Sequence, residues 1–271
     1  MNIIRRLLLS ALVVAASLLA GCGTMVPAPG SMADAATRAA LAPTGVLRVG
    51  VYPGSPTSLV VDAKTGAKVG IAHDLGVKLA NDLGVPFELV EFRSVAEVID
   101  ALKVGRVDFT FTNATAARAK DVDFTVPMLS VELGYIVPAG SSMASVSDID
   151  RPGVRVGVSE GSSSQGTLSR LYKNAALIAA PSLKSASDML AARQLDAFAT
   201  NKAVLFELKD AIAGARILDG RWGEEHMAIA IPKGRDAGMT YLRKFSADAK
   251  ASGSFKSIVA KSGLRGAIGA D

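Results

Sequence analysis

Thiol chemistry is almost absent from this chain: its 271 residues include a single cysteine, Cys22. A lone cysteine closes no intramolecular disulfide, so an apolar core must hold the fold, and a chain of this size can build one. Histidine is nearly as scarce. Only His73 and His226 occur, neither with the clustered partners of a zinc site, so no metal and no cofactor are expected. Aromatic residues make up 5% of the chain. That is too sparse for base-stacking platforms, and no basic run is present, so nucleic acid is not an expected partner. The formal charge is +5, and setting aside Arg5 and Arg6 leaves 28 basic against 25 acidic residues, a mild and interspersed balance.

What is present begins with an export signal. Arg5 and Arg6 precede an apolar run from Leu7 to Ala20, shorter than the roughly 20 residues a spanning helix needs. The run ends in Leu19-Ala20-Gly21-Cys22. Small residues before a cysteine resemble the bacterial lipobox, where the signal is cut and the cysteine acylated. Residues 1–21 are then a lipoprotein signal peptide and Cys22 the lipid anchor; an ordinary cleavable signal with a chance cysteine is the alternative. Residues 22–44, rich in Gly, Pro, Ala, Ser and Thr, read as a flexible tether. The expected location is the periplasm or cell surface, on a membrane.

From Gly45 onward strand and helix patterns alternate. Val46–Val51 is an apolar, β-branched run. Ile71, Leu75, Leu79 and Leu83 recur at helical spacing before Gly84. Phe87–Phe92 reads as a strand, Ser94 and Glu97 carry a capping-box signature that opens a helix ended by Gly105, and Val107–Thr112 reads as a third strand. This order implies a parallel, doubly wound sheet.

The pattern then repeats. Arg48–Gly54 and Arg155–Gly161 share five of seven residues, and Ser94–Asn113 aligns without gaps on Ser182–Asn201 with six identities in twenty. The chain therefore encodes two α/β lobes. Met227–Ile231 is a further strand, followed by helices over 236–251 and 254–261 that return to the first lobe. The expected boundaries are 45–131 plus 226–271 for lobe 1 and 132–225 for lobe 2. Two crossings near 131–135 and 222–226 would form a hinge. Ligands of open α/β sheets bind beyond the strands' carboxyl ends, here Tyr52–Ser58, Asn113–Arg118, Ser159–Gln165 and Asn201–Lys202, all polar or Gly-rich.

Taken in order, Leu47–Val51, Gly70–Leu75, Gly105–Asp108, Thr115–Lys120, Val122–Pro127 and Val156–Gly161 resemble family 3 of the bacterial extracellular solute-binding proteins. The likeness covers about Gly45 to Gly263. It implies a type II periplasmic binding protein fold, a Venus-flytrap of two Rossmann-like lobes. The implied role is a receptor, not an enzyme, that delivers an amino acid or related carboxylate to an ABC permease in the inner membrane, with the receptor a monomer. In the family an arginine grips the ligand's carboxylate, and Arg118 falls at that place, with Thr115 and Asn113 before it. A guanidinium fork matches a carboxylate bidentately, and Thr115 would cap a helix whose N–H groups face the anion. The family's Gly-Thr-Thr-like turn corresponds to Gly161-Ser162-Ser163, and Tyr52 stands near the usual first-strand aromatic. The family's aspartate for the α-amino group is replaced by Asn201, followed by Lys202. Either Glu160 substitutes for it or the ligand lacks an amino group. The stretch from Asp108 to Arg118 is also about two residues shorter than usual. Asp108 and Asp196 read as turn-fixing residues. Two other readings stay open: a ligand-sensing lipoprotein without transport, and a cyclohexadienyl dehydratase-like enzyme with Glu160 or His226 as acid.

Overall fold

Asp34 accepts the Thr37 N–H at 2.7 Å and so caps helix α1 (Ala35–Leu41). The computed structural model describes residues 33–268, so Cys22 and the expected signal lie outside the described residues. Helix α1 corrects the tether expected over 22–44 for Ala35–Leu41, while residues 22–32 lie outside the described residues. Small residues dominate it, but alanine is the best helix former, and Leu41 at its end is fully buried.

Strand β1 (Leu47–Val51) leads through a small hairpin, β2 (Val60–Val61) and β3 (Lys68–Val69), into helix α2 (Ile71–Leu83), which Gly84 ends in the left-handed region. Strand β4 (Phe87–Glu91) pairs parallel with β1. Helix α3 (Val95–Lys103) follows its Ser94 cap. Strand β5 (Thr110–Asn113) starts later than the expected Val107. The residues before it serve a different purpose: Asp108 receives the Arg48 backbone N–H at 3.1 Å and both arms of its guanidinium at 2.8 Å. Short strand β6 (Val122–Phe124) and long strand β7 (Leu129–Val137) complete the first half.

The second half repeats the scheme with β8 (Arg155–Ser159), α4 (Ser163–Leu171), β9 (Ala176–Ala180), α5 (Leu183–Ala191), β10 (Ala197–Asn201) and α6 (Lys202–Ala211). Strand β8 lies parallel between β9 and β10. Its Arg155 grips Asp196 as Arg48 grips Asp108, with N–H and guanidinium contacts of 2.8–3.0 Å. The two aspartates therefore fix the repeated turns.

After β11 (Arg216–Ile217) comes β12 (Gly223–Pro232), then α7 (Asp236–Ala251), α8 (Ser254–Lys261) and β13 (Ala267–Ile268). Strand β12 pairs with β7 through residues 223–227, then with β5 and β6 through residues 227–232. Strand β7 continues onto β10 through residues 133–136. These two antiparallel strands thus run from one half into the other. Separate apolar cores lie on either side: Leu75, Phe111 and Phe255 belong to one, Leu190, Phe198 and Leu205 to another. Helix α1 joins the first through Leu41, whose Cδ2 lies only 2.6 Å from where a Cβ on Gly238 of α7 would stand.

Two measurements test this packing. Leu41→Ala should cost about 2–5 kcal/mol of stability, whereas an undocked tether would show no change in thermal midpoint. Asp196 carries a lowered pKa because the Arg155 guanidinium and N–H bond its charged form. A depressed folded value gives stability that is present above the unfolded value, ~3.9, and lost as pH falls through the folded one. The midpoint should stay level above about pH 5 and fall below about pH 4. Asp196→Asn should flatten part of that fall while lowering stability at neutral pH.

Candidate functional site

Four helix N-termini open onto one cleft. Their caps are Ser94, Ser162, Ser182 and Asn201, each accepting a backbone N–H of its own helix at 3.0–3.4 Å, and all four line the cleft. Each N-terminus is equivalent to about half a positive charge, so the turns that end the strands give the cleft an anion-attracting field. Ser94 and Ser182 are the paired starts of the internal repeat, so the symmetry of the sequence reappears as symmetry of the field.

Arg118 adds the full charge. It starts a single 3₁₀ turn, Arg118–Lys120, and its N–H donates to Thr115 Oγ1 at 3.2 Å. Its side chain turns back so that Nη1 donates to Thr112 Oγ1 at 3.0 Å and the Asn113 carbonyl at 3.2 Å. No carboxylate forms an ion pair with it among the described residues. The residue is half-buried by surface area, but its charged end is crowded by protein, and desolvation lowers its pKa while Glu225 and Tyr52 favour the charged form. Arginine stays protonated under any such shift. Thr115 holds the turn and does not line the cleft, and one 3₁₀ turn presents no helix end to an anion.

The cleft is also lined by Glu225, which the sequence analysis did not count among the site residues. It is buried, its Oε1 accepts from Ser163 Oγ at 2.8 Å, and its Oε2 accepts from Asn201 Nδ2 at 2.8 Å. Asn113, from the first half, donates to Ser163 Oγ at 3.1 Å and accepts the His226 N–H at 2.9 Å. Asn113, Ser162, Ser163, Asn201 and Tyr52 therefore meet where Arg118 points. The Tyr52 hydroxyl is held near Ser55 and Thr57, and burial raises its pKa.

Two expectations are corrected. Lys202 leaves the cleft and pairs with Glu132 at 2.5 Å, because the first residue of α6 projects over the crossing strands. Glu160 is exposed and does not line the cleft. A signal for Glu225 was available: on a strand, residues two apart share a face, which groups Glu225 with Met227, Ile229 and Ile231, all three buried. A carboxylate in register with an apolar face calls for donors.

The halves meet across the cleft. Gly161 sits in the left-handed region at φ +63° against Ala96, where a Cβ would lie 2.5 Å from the alanine methyl, and Tyr52 packs on the second-half core. The free volume left between them is about 30 Å³, room for about two waters.

Such a molecule, two α/β lobes sharing two long strands around a polar cleft, is a type II periplasmic binding protein by fold. The chain belongs to the bacterial extracellular solute-binding proteins, family 3, whose family model matches residues 47–264. The ABC transporter glutamine-binding protein GlnH of Bacillus subtilis is 24% identical over 230 residues, 81% of this chain and 82% of its own. The virulence sensor protein BvgS of Bordetella pertussis is 28% identical over 160 residues, 58% of this chain but only 13% of that sensor's length. A binding component of an ABC transporter from Wolinella succinogenes, complexed with lysine, superposes with a TM-score of 0.69 at 27% identity. It covers 79% of this chain and 94% of that one. No helix among the described residues is long and apolar enough to cross a membrane.

Gly161→Ala should disfavour the closed form. The methyl meets Ala96, and the left-handed backbone adds about 1 kcal/mol. Small-angle scattering should report a larger radius than the parent's, with the two cores still folding cooperatively; an unchanged radius would show that this contact does not control closure.

Proposed function

We propose that this protein is an extracytoplasmic receptor that captures an α-amino acid between its lobes and delivers it to an ABC-type importer in the inner membrane. The carrying observation is a pair of opposite charges in one cleft: the Arg118 guanidinium, without an ion-pair partner among the described residues, and the buried Glu225 carboxylate. Arg118 takes the ligand's carboxylate in a bidentate fork, assisted by the helix N-termini. Glu225 takes the ammonium, replacing the acid that Asn201 does not supply. Asn201 and Ser163 each use one donor on Glu225, and a carboxylate has lone pairs left for a third. Binding to both charges favours closure about the crossing strands. The lobes are taken as 45–131 with 226–271, extended by α1, and 132–225. Cys22 is the lipid anchor that keeps the receptor at its membrane.

The likeness to a virulence sensor favours a second reading, in which the same capture signals to a partner and transports nothing. Dehydratase-like catalysis fits less well, because both oxygens of Glu225 already accept hydrogen bonds and no second carboxylate lines the cleft among the described residues.

Arg118→Ala should weaken capture by about 2–5 kcal/mol, the cost of truncating a buried charge partner. Glu225→Gln keeps the side chain's shape. It should abolish the preference for amino acids over the same carbon skeletons without the amino group. Isothermal titration of the purified protein reads both. Parent-like affinity in the Arg118 variant would sink the proposal.

A further inference from the structure

The amino-acid reading leaves the ligand's side chain open, and the rest of the cleft bears on that side chain. Resting on that reading, we propose that the captured amino acid carries a short, uncharged side chain, and that this cleft rejects lysine and arginine.

Charge is the first argument. Glu225 is the sole carboxylate among the described residues lining the cleft, and the α-ammonium common to all amino acids takes up its remaining capacity. A cationic side chain would enter without a counter-ion, and an unpaired buried cation is strongly disfavoured. The field it meets is also of the wrong sign, since the N-termini of α3, α4, α5 and α6 all converge there. An acidic side chain would meet these N-termini but no free guanidinium, since Arg118 is taken by the α-carboxylate. The further cation at the rim, Arg93, is 79% exposed and already bound to Glu97, so the pair presents no net charge.

Lining is the second. The halves already touch through Gly161 and Ala96, so the walls that meet the ligand's side chain stand close at hand. Once Arg118 and Glu225 fix the two ends of the ligand, the walls left for its side chain include Ser94, Ser182, Val95, Leu183 and Tyr52. Two hydroxyls and three largely apolar surfaces suit a methyl, hydroxymethyl or thiol-bearing group.

Titration of the ligand-stripped protein tests this with L-alanine, L-serine and L-cysteine against L-lysine, L-arginine, L-glutamate and L-glutamine. The short neutral set should bind at least about 100-fold tighter than lysine or arginine, the scale on which a cleft discriminates against a group it cannot pair. Ser182→Asp provides the converse. Aspartate caps a helix as well as serine does, so α5 keeps its N-terminus while the wall gains a carboxylate, and lysine affinity should rise about tenfold or more. If lysine, arginine, glutamate or glutamine binds the parent as tightly as the short set, the proposal falls and the amino-acid receptor stands. If no amino acid binds while deaminated acids do, the amino-acid reading itself fails and takes this proposal with it.

Discussion

The antiparallel pairing of β7 with β12 is the constraint on which the rest depends. Each strand serves both halves: residues 223–227 of β12 pair with β7, residues 227–232 with β5 and β6, and residues 133–136 of β7 pair with β10. The two cores are thus held in register by a ladder that belongs to neither alone. Glu225 sits on that ladder opposite Val131. From there its carboxylate is reached by Ser163 and Asn201 of the second half, while Asn113 of the first half bonds Ser163. A carboxylate withdrawn from water costs several kcal/mol unless its oxygens find donors, and here each oxygen has one.

Around this axis the two halves are built by one scheme. Arg48 with Asp108, and Arg155 with Asp196, form matching forks, and the fork's second arm bonds the carbonyl of Gly105 in one half and of Arg193 in the other. Gly105 and Arg193 both adopt positive φ, at 70° and 54°, and Arg193 is the one non-glycine among the described residues to do so. The forks fix the start of β1 and β8 and tie to them the turns that follow α3 and α5. Repetition therefore produces a cleft whose fixed dipoles all favour an anion.

Function enters where the symmetry breaks. Arg118 has no counterpart in the second half, and Glu225 lies outside the repeat altogether. The structure keeps an arginine in a desolvated cleft without an ion-pair partner among the described residues. The fold carries that cost. Beside membership of the solute-binding family and the departure at Asn201 stands a buried carboxylate, Glu225, on a strand that the repeat does not include.

Much of this was legible in the sequence because it rests on local patterns. Apolar residues at helical spacing placed α2, the 236–251 and 254–261 helices fell where their amphipathic periods ran, and the twin Ser94 and Ser182 caps marked both halves. Arg118 and Asn113 were legible too, because strand ends in such sheets face a ligand. Composition misread α1, since alanine-rich chain suits a tether and a helix alike, and only docking of Leu41 against α7 decides between them. The directions of Lys202, Glu160 and Glu225 were likewise undecided by residue type, since each is a long, flexible, charged side chain. Local periodicity determines which elements form and which faces are apolar, because backbone hydrogen bonding and burial are read over a few residues. Which charges meet in the cleft was left to the tertiary structure, because a carboxylate's place is set by donors that lie tens of residues away.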